Sequence, residues 1–183
     1  SEDSRVRLIS NVKKVTPVAL NLGIANAQDA DVVIILGAHS EIDEDFVIRN
    51  LEVLESQGEA ECVGGLIENV FKNETARIVG MAMSSPFGVG DATFRTGGKP
   101  GFVETVAFGA YRREVFEKIG LFDERLVRNQ DDEFNFRTIK NGGKIYFDPS
   151  IRSKYYVRSS YKKLSRQYFQ YGYWKVYVNA VHK

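Results

Sequence analysis

Residues 32–36 read Val32-Val33-Ile34-Ile35-Leu36, the longest unbroken apolar run in the chain. A membrane helix needs about 20 apolar residues, so this run cannot span a bilayer. A surface strand would alternate apolar and polar residues; a continuous run needs burial on both faces. The run therefore predicts a central strand of a parallel sheet, and its neighbours must supply helices to cover both faces.

The flanking sequence supplies them. Arg5-Val6-Arg7-Leu8-Ile9-Ser10 alternates and predicts a strand. Thr16-Pro17 marks a helix start, with Thr16 as cap and proline in the first turn, and the helix extends to about Gln28. Asp43 is placed to cap a helix in which Val47, Leu51 and Leu54 recur at helical spacing. Further strands are expected over 61–66, 103–108 and 144–147. Helices are expected over 73–83, over 112–119 with Gly120 as the stop, and over 131–141. Loops 84–91 and 96–101 separate them. The Gly90-Asp91 pair lacks the Gly-Lys-Ser/Thr ending of a phosphate loop. Strands alternating with helices give an α/β fold, with helices on both faces of the sheet.

Composition narrows the chemistry. The chain has 183 residues, and its one cysteine, Cys62, excludes an internal disulfide and a cysteine metal cluster. Its apolar neighbours predict a buried, inert thiol. The net charge of +1 hides an asymmetry: no acidic residue follows Asp148, while eight basic residues and seven of the nine tyrosines do. The expected organisation is a body over 1–150 and a basic, aromatic segment over 151–183. From Ser160 that segment predicts an amphipathic helix, with Tyr161, Leu164, Tyr168, Tyr171 and Trp174 on one stripe. Two readings of the stripe stand: a helix packed on the core, or one lying on a membrane surface through residues 152–183. Nucleic acid is not expected as a partner, because the body is acidic.

The most pointed chemistry lies in residues 108–137. Phe108-Gly109-Ala110-Tyr111-Arg112-Arg113-Glu114-Val115-Phe116 reads as a strand, a turn and a helix. Asn129-Gln130-Asp131-Asp132-Glu133 then brings carboxylates to the start of another helix. On the residues alone, Asp131 is either a general base beside a bound hydroxyl or a helix cap. Glu133 and Arg137 are four apart and can pair across one turn.

Together with Ser84-Ser85-Pro86-Phe87-Gly88-Val89-Gly90 and Arg166-Gln167-Tyr168-Phe169-Gln170-Tyr171-Gly172, these segments resemble the family 2 glycosyltransferases of GT-A fold. The resemblance is closest to the succinoglycan-type exopolysaccharide enzymes. It implies a GT-A-like mixed sheet, a nucleotide-sugar donor and a saccharide or lipid-linked acceptor. It also implies inversion at the anomeric carbon, with work at the cytoplasmic face of the bacterial inner membrane. By position it makes Asp131 the base, Gly109, Ala110, Gln130, Glu133 and Arg137 acceptor-side residues, and Asn21 and Ala38 donor-side residues. A helix N-terminus is expected to keep Asp131 ionised.

The family also implies a divalent metal, Mn²⁺ or Mg²⁺. The motif that holds it resembles Asp-Ala-His, and here the chain reads Gly37-Ala38-His39, so the first carboxylate is replaced by glycine. His39 remains as the candidate ligand, suited to Mn²⁺ more than Mg²⁺; a non-ligand histidine at a strand end is the other reading. Family members begin with nucleotide-binding strands ahead of the first element seen here. The expectation is therefore a fragment that does not turn over alone. A degenerate, non-catalytic module docked at a membrane is the alternative.

Overall fold

The computed structural model describes residues 3–38, 40–85, 90 and 92–182. In chain order its elements are α1 (Thr16–Ala25), β1 (Val32–Ile34), β2 (Ser40–Ile42), α2 (Phe46–Ser56), β3 (Ala60–Val70), α3 (Glu74–Met83) and α4 (Thr93–Thr96). They continue with β4 (Gly101–Val103), β5 (Ala107–Arg112), α5 (Arg113–Ile119), α6 (Gln130–Lys140), β6 (Lys144–Tyr156) and α7 (Tyr161–Val181). The strands form one mixed sheet in the order β1-β5-β3-β6-β2, with β4 also pairing β6. β3 and β6 run parallel, and the other pairings are antiparallel.

Side chains alternate across the sheet, as a pleated strand requires. Cys62, Tyr111, Ile145 and Phe147 point into one core beneath α5 and α6. Val63, Ala110 and Ile151 point into the other, against Phe46, Val53 and Leu54 of α2. A third cluster joins Ala76, Val79 and Met83 of α3 to Val157.

Several local signals act as read. Asn73 caps α3 through its side chain to the Ala76 N–H at 2.8 Å, and Ser160 caps α7 at the Lys163 N–H. Gly120 ends α5 at φ 81°, a left-handed turn that glycine enters without Cβ strain. Thr16 and Asp43 do not cap. α1 is entered through Val15, and Asn11 holds that loop by bonding the Val15 carbonyl and the Lys14 N–H. α2 begins two residues later than expected, with Asp45 at its cap position.

The strands depart further from expectation. Val32–Ile34 is an edge strand, antiparallel to β5, rather than central and parallel. Its two faces are nevertheless covered: Val33 and Ile35 meet one core, Val32 and Ile34 the other. An unbroken apolar run reports two covered faces, and is silent about how many hydrogen-bonded neighbours the strand has. Residues 5–10 form no strand; Leu8 is 98% exposed, so alternation found no sheet edge to join. Residues 103–108 split, because β4 pairs β6 while β5 pairs β3.

β6 runs nine residues past the expected strand end, through the position where the basic tail was read to begin. Asp148 accepts the Ser150 N–H, which lets residues 148–151 bulge between the Gly64–Phe147 and Leu66–Arg152 pairs. The bulge lays Ile151 over Gly65, where an added Cβ would stand 1.9 Å from the Ile151 carbonyl oxygen. No rotamer relieves a clash with backbone. Gly65→Ala is expected to cost about 3 kcal/mol, read as a shift in urea midpoint at unchanged slope.

Candidate active site

Phe134 fixes the first turn of α6. Its ring lies 4.4 Å from Phe122, 5.2 Å from Phe116 and 5.5 Å from Tyr111, centroid to centroid. Fully burying such a ring contributes roughly 1.5–3 kcal/mol, and each aromatic pair adds about 0.5–1.5 kcal/mol. Beside it, the Tyr111 hydroxyl donates to Asn135 Oδ1 at 2.9 Å, and Asn135 Nδ2 donates to Thr105 Oγ1 at 2.9 Å. This chain of buried hydrogen bonds sets α6 against β5 in rotation as well as in position.

With α6 fixed, its three leading carboxylates have different surroundings. Glu133 is 2% exposed and accepts from Arg137 Nε at 2.5 Å and Nη2 at 3.0 Å; His182 Nε2 lies 2.9 Å away. Arg137 also donates to the Ile119 and Leu121 carbonyls at 2.6 and 2.8 Å, so the pair ties α6 to the end of α5. Asp132 pairs with Lys175 of α7 at 2.5 Å. Asp131 carries no ion pair among the described residues.

Asp131 is open to solvent at its surface, yet enough protein surrounds it to desolvate its charge. The first property governs what a substrate can touch, the second the proton. Burial raises its carboxyl above the usual range; the Asp132 and Asp131 backbone N–H groups pull it down, Asp132's charge adds to the rise, and Lys175 opposes it. The backbone N–H groups at the helix start favour the ionised form as expected, but desolvation is the larger effect and the net shift is upward. A reachable carboxylate with a raised pKa suits a general base.

α7 closes one side of this site. Asn129, left-handed at φ 59°, donates through Nδ2 to the Tyr171 carbonyl at 3.2 Å. The expected stripe divides: Leu164 packs on the α3–Val157 cluster, and Trp174 is half-buried. Phe169, Tyr173 and Val176 are 75%, 64% and 71% exposed on another face, a stripe the sequence reading did not single out.

The other candidate residues are placed less favourably for ligand contact. Gly109 is buried, and a Cβ there would come within 2.8 Å of Cys62 Sγ and Tyr111 Cε2. Ala110 is fully buried in the α2-side core. Gly109 lets β5 approach Cys62 of β3 closely, and Ala110 serves the core. Gln130 is half-buried at the start of α6. Asn21 is buried, donating to the Phe122 carbonyl at 2.9 Å and accepting its N–H at 3.0 Å, so its carboxamide pins the loop after α5. Cys62 is buried and its thiol is pushed well up by desolvation, as an inert core residue.

Ala38 is exposed in the turn after β1 and lines a cavity of about 430 Å³ with Ser40, Glu41, Lys72, Tyr155 and Arg158. His39 lies outside the described residues. Gly37 offers no side-chain ligand, and a Cβ there would meet the Phe108 ring at 3.2 Å. Phe108 sits at φ 50° where it and Gly109 bulge opposite Gly64. Glu41 accepts from the Tyr156 hydroxyl. Among the described residues no three histidine, cysteine or acidic side chains are grouped to hold a metal. The described residues at this turn do not fit the implied Mn²⁺ or Mg²⁺.

A mixed α/β sheet with a carboxylate-bearing helix at one end is the architecture of GT-A glycosyltransferases. The solved structure of GalNAc-T7 with UDP, GalNAc and Mn²⁺ matches this fold at a TM-score of 0.59, with 17% identity over 81% of this chain and 32% of that one. The chain belongs to glycosyl transferase family 2, whose profile matches residues 1–120. It is 35% identical over 172 residues to a Methanococcus voltae protein, dolichyl N-acetyl-alpha-D-glucosaminyl phosphate 3-beta-D-2,3-diacetamido-2,3-dideoxy-beta-D-glucuronosyltransferase, covering 91% of this chain and 53% of that protein. It is 29% identical over 173 residues to the succinoglycan biosynthesis protein ExoA of Rhizobium meliloti (strain 1021), covering 94% of this chain and 52% of that protein. The chain thus spans about half the length of these relatives.

Arg137→Ala leaves Glu133 buried with one partner fewer and frees two carbonyls. A loss of about 3 kcal/mol or more is expected, measured by denaturant unfolding; Arg137→Lys is expected to recover only part, since lysine cannot reach both carbonyls and the carboxylate.

Proposed function

We propose that the chain carries the acceptor-and-base half of an inverting glycosyltransferase. The observation behind this is the sorting of the α6 carboxylates: Asp132 and Glu133 are paired, and Asp131 is left reachable and partly desolvated. Asp131 takes the proton of an acceptor hydroxyl as that oxygen bonds to the anomeric carbon. The bond from that carbon to the donor's phosphate oxygen breaks, and its electron pair leaves with the nucleotide diphosphate. One displacement inverts the centre, by the logic of inverting hydrolysis with a sugar hydroxyl in place of water. The acceptor is a saccharide, lipid-linked by analogy with the dolichyl phosphate sugar in the Methanococcus relative's name, and the product a cell-surface or exopolysaccharide precursor.

The exposed Phe169-Tyr173-Val176 stripe, with Lys162 continuing it toward the start of α7, supports attachment of this helix to an anionic membrane surface. No described helix is long and apolar enough to cross a membrane. A second reading, a binding or assembly module without turnover, is favoured by Gly37 and the Phe108 ring beside it. Nucleotide-sugar binding without transfer by the enzyme would support that reading over the first.

Asp131→Asn is expected to lower transfer from nucleotide sugar to lipid-linked saccharide by about 10²-fold or more; undiminished transfer overturns the base assignment. Because the folded state raises this carboxyl, its ionised form costs stability at neutral pH, and that cost disappears as pH falls below the ordinary aspartate range. The variant is therefore expected to unfold at the same or a higher temperature than the parent at pH 7. Any advantage should shrink toward pH 3.

Vesicle co-sedimentation checks the membrane contact. Phe169→Ser with Tyr173→Ser is expected to reduce binding to anionic vesicles, and equal binding would remove α7 from that role.

A further inference from the structure

Under α7 the positive charge is concentrated in one place. Two cavities of about 430 Å³ each share Tyr155, Arg158 and Lys163 as walls. One opens at the Ala38–Ser40 turn and adds Lys72; the other opens beside Asn129 and adds Arg128, Arg166, Gln167 and Tyr171. Their sizes fall within the roughly 300–1,000 Å³ of ligand pockets. Among the described residues, Lys72, Arg128, Arg158, Lys163 and Arg166 make no ion pair, whereas eleven of the nineteen other lysines and arginines do. One carboxylate, Glu41, lines the pair of cavities, and it is engaged by the Tyr156 hydroxyl.

Two polar atoms also lack partners, one on the cleft wall and one on a side chain packed against a wall residue. Gln167 Oε1 and Arg95 Nη1 are buried with no hydrogen-bond partner among the described residues. The Arg95 guanidinium lies 5.3 Å from the centre of the ring of Tyr155, one of the shared wall residues. Like charges gathered along a concave surface repel one another and raise the local potential for an anion. A cluster of this kind is stabilised by a multiply charged ligand with several acceptor oxygens.

We propose that this basic cleft is a phosphate-ester site that works without a metal ion, with Arg128, Arg158, Lys163 and Arg166 as its main ligands. The inference rests on the sugar-transfer reading only for the origin of the ester: the nucleotide diphosphate of the donor, or the phosphate that links an acceptor saccharide to its lipid. The anion site itself stands on the charge and shape of the cleft. Guanidinium groups match phosphate oxygens in pairs, and lysine adds a point charge. The metal's task of holding phosphate negative charge, for which Gly37 supplies no side-chain ligand, falls here to side chains of the loop before α6, the loop after β6 and α7.

The test is calorimetric titration of the 183-residue chain, in excess chelator, with uridine diphosphate and separately with a short-chain prenyl phosphate. Uridine and the matching prenol serve as phosphate-free controls. At least one phosphate ester is expected to bind, more weakly as salt rises. Lys163→Ala with Arg166→Ala is expected to weaken that binding at least about tenfold, with an unfolding temperature equal to or above that of the parent. Binding of the uridine ester assigns the cleft to the donor, and binding of the prenyl ester assigns it to the acceptor. No binding in chelator, equal binding by the controls, or unchanged binding by the double variant overturns the proposal. Asp131→Asn is expected to retain phosphate binding. If it does while the parent enzyme shows no sugar transfer, the transfer reading fails and the anion site stands.

Discussion

The parallel pairing of β3 with β6 is the constraint on which the rest of the molecule depends. β5 hydrogen-bonds to β3, β1 to β5, and β2 and β4 to opposite ends of β6. The pair survives an offset of several residues because Gly65 lets the Ile151 backbone lie on top of it. Beyond that bulge β6 carries on to Tyr156, and there it leaves Tyr155 and Tyr156 on the wall of the basic cleft. One glycine in β3 thereby decides where the end of β6, the loop after it and the start of α7 can stand.

α6 shows a second level of organisation, in charge. Three carboxylates in one helical turn repel one another, and the first turn of a helix relieves only part of that cost. Here Glu133 is neutralised from within the body by Arg137, and Asp132 from outside by Lys175. Asp131 alone keeps an open side. Lys175 and His182 both lie near the end of α7, so docking of that helix and the electrostatic state of the α6 start are one equilibrium. A movement of α7 would change the charge around Asp131 and the shape of the cleft together.

What the sequence disclosed follows from the range of the interactions involved. Asn73, Gly120 and Ser160 were legible because a cap or a stop is decided within four residues. The burial of Cys62 was legible from its apolar neighbours. The length of β6 was not, because Asp148-Pro149-Ser150 has the chemistry of a strand end and becomes a bulge only with Gly65 opposite. Residues 5–10 carry a sound strand pattern that no edge receives. In the site, Asp131 could be singled out by resemblance and the Glu133–Arg137 pair by its spacing, but Asp132 is claimed by a partner 43 residues away. The internal employment of Asn21, Gly109 and Ala110 was hidden for the same reason: each is occupied by residues or backbone brought near only by the fold.

The left-handed Phe108 carries a consequence for how such a domain can change. A phenylalanine at φ 50° is strained by about 1–2 kcal/mol, and a Cβ at position 37 would stand 3.2 Å from its ring, so the ring must give slightly to admit one. Positions 37 and 108 are therefore epistatic. A carboxylate introduced at 37 meets a ring held in place by the β5 bulge, whereas a smaller residue at 108 clears the way first. The order of the two substitutions then decides whether the intermediate folds without added strain, and the path toward an acidic turn runs through position 108.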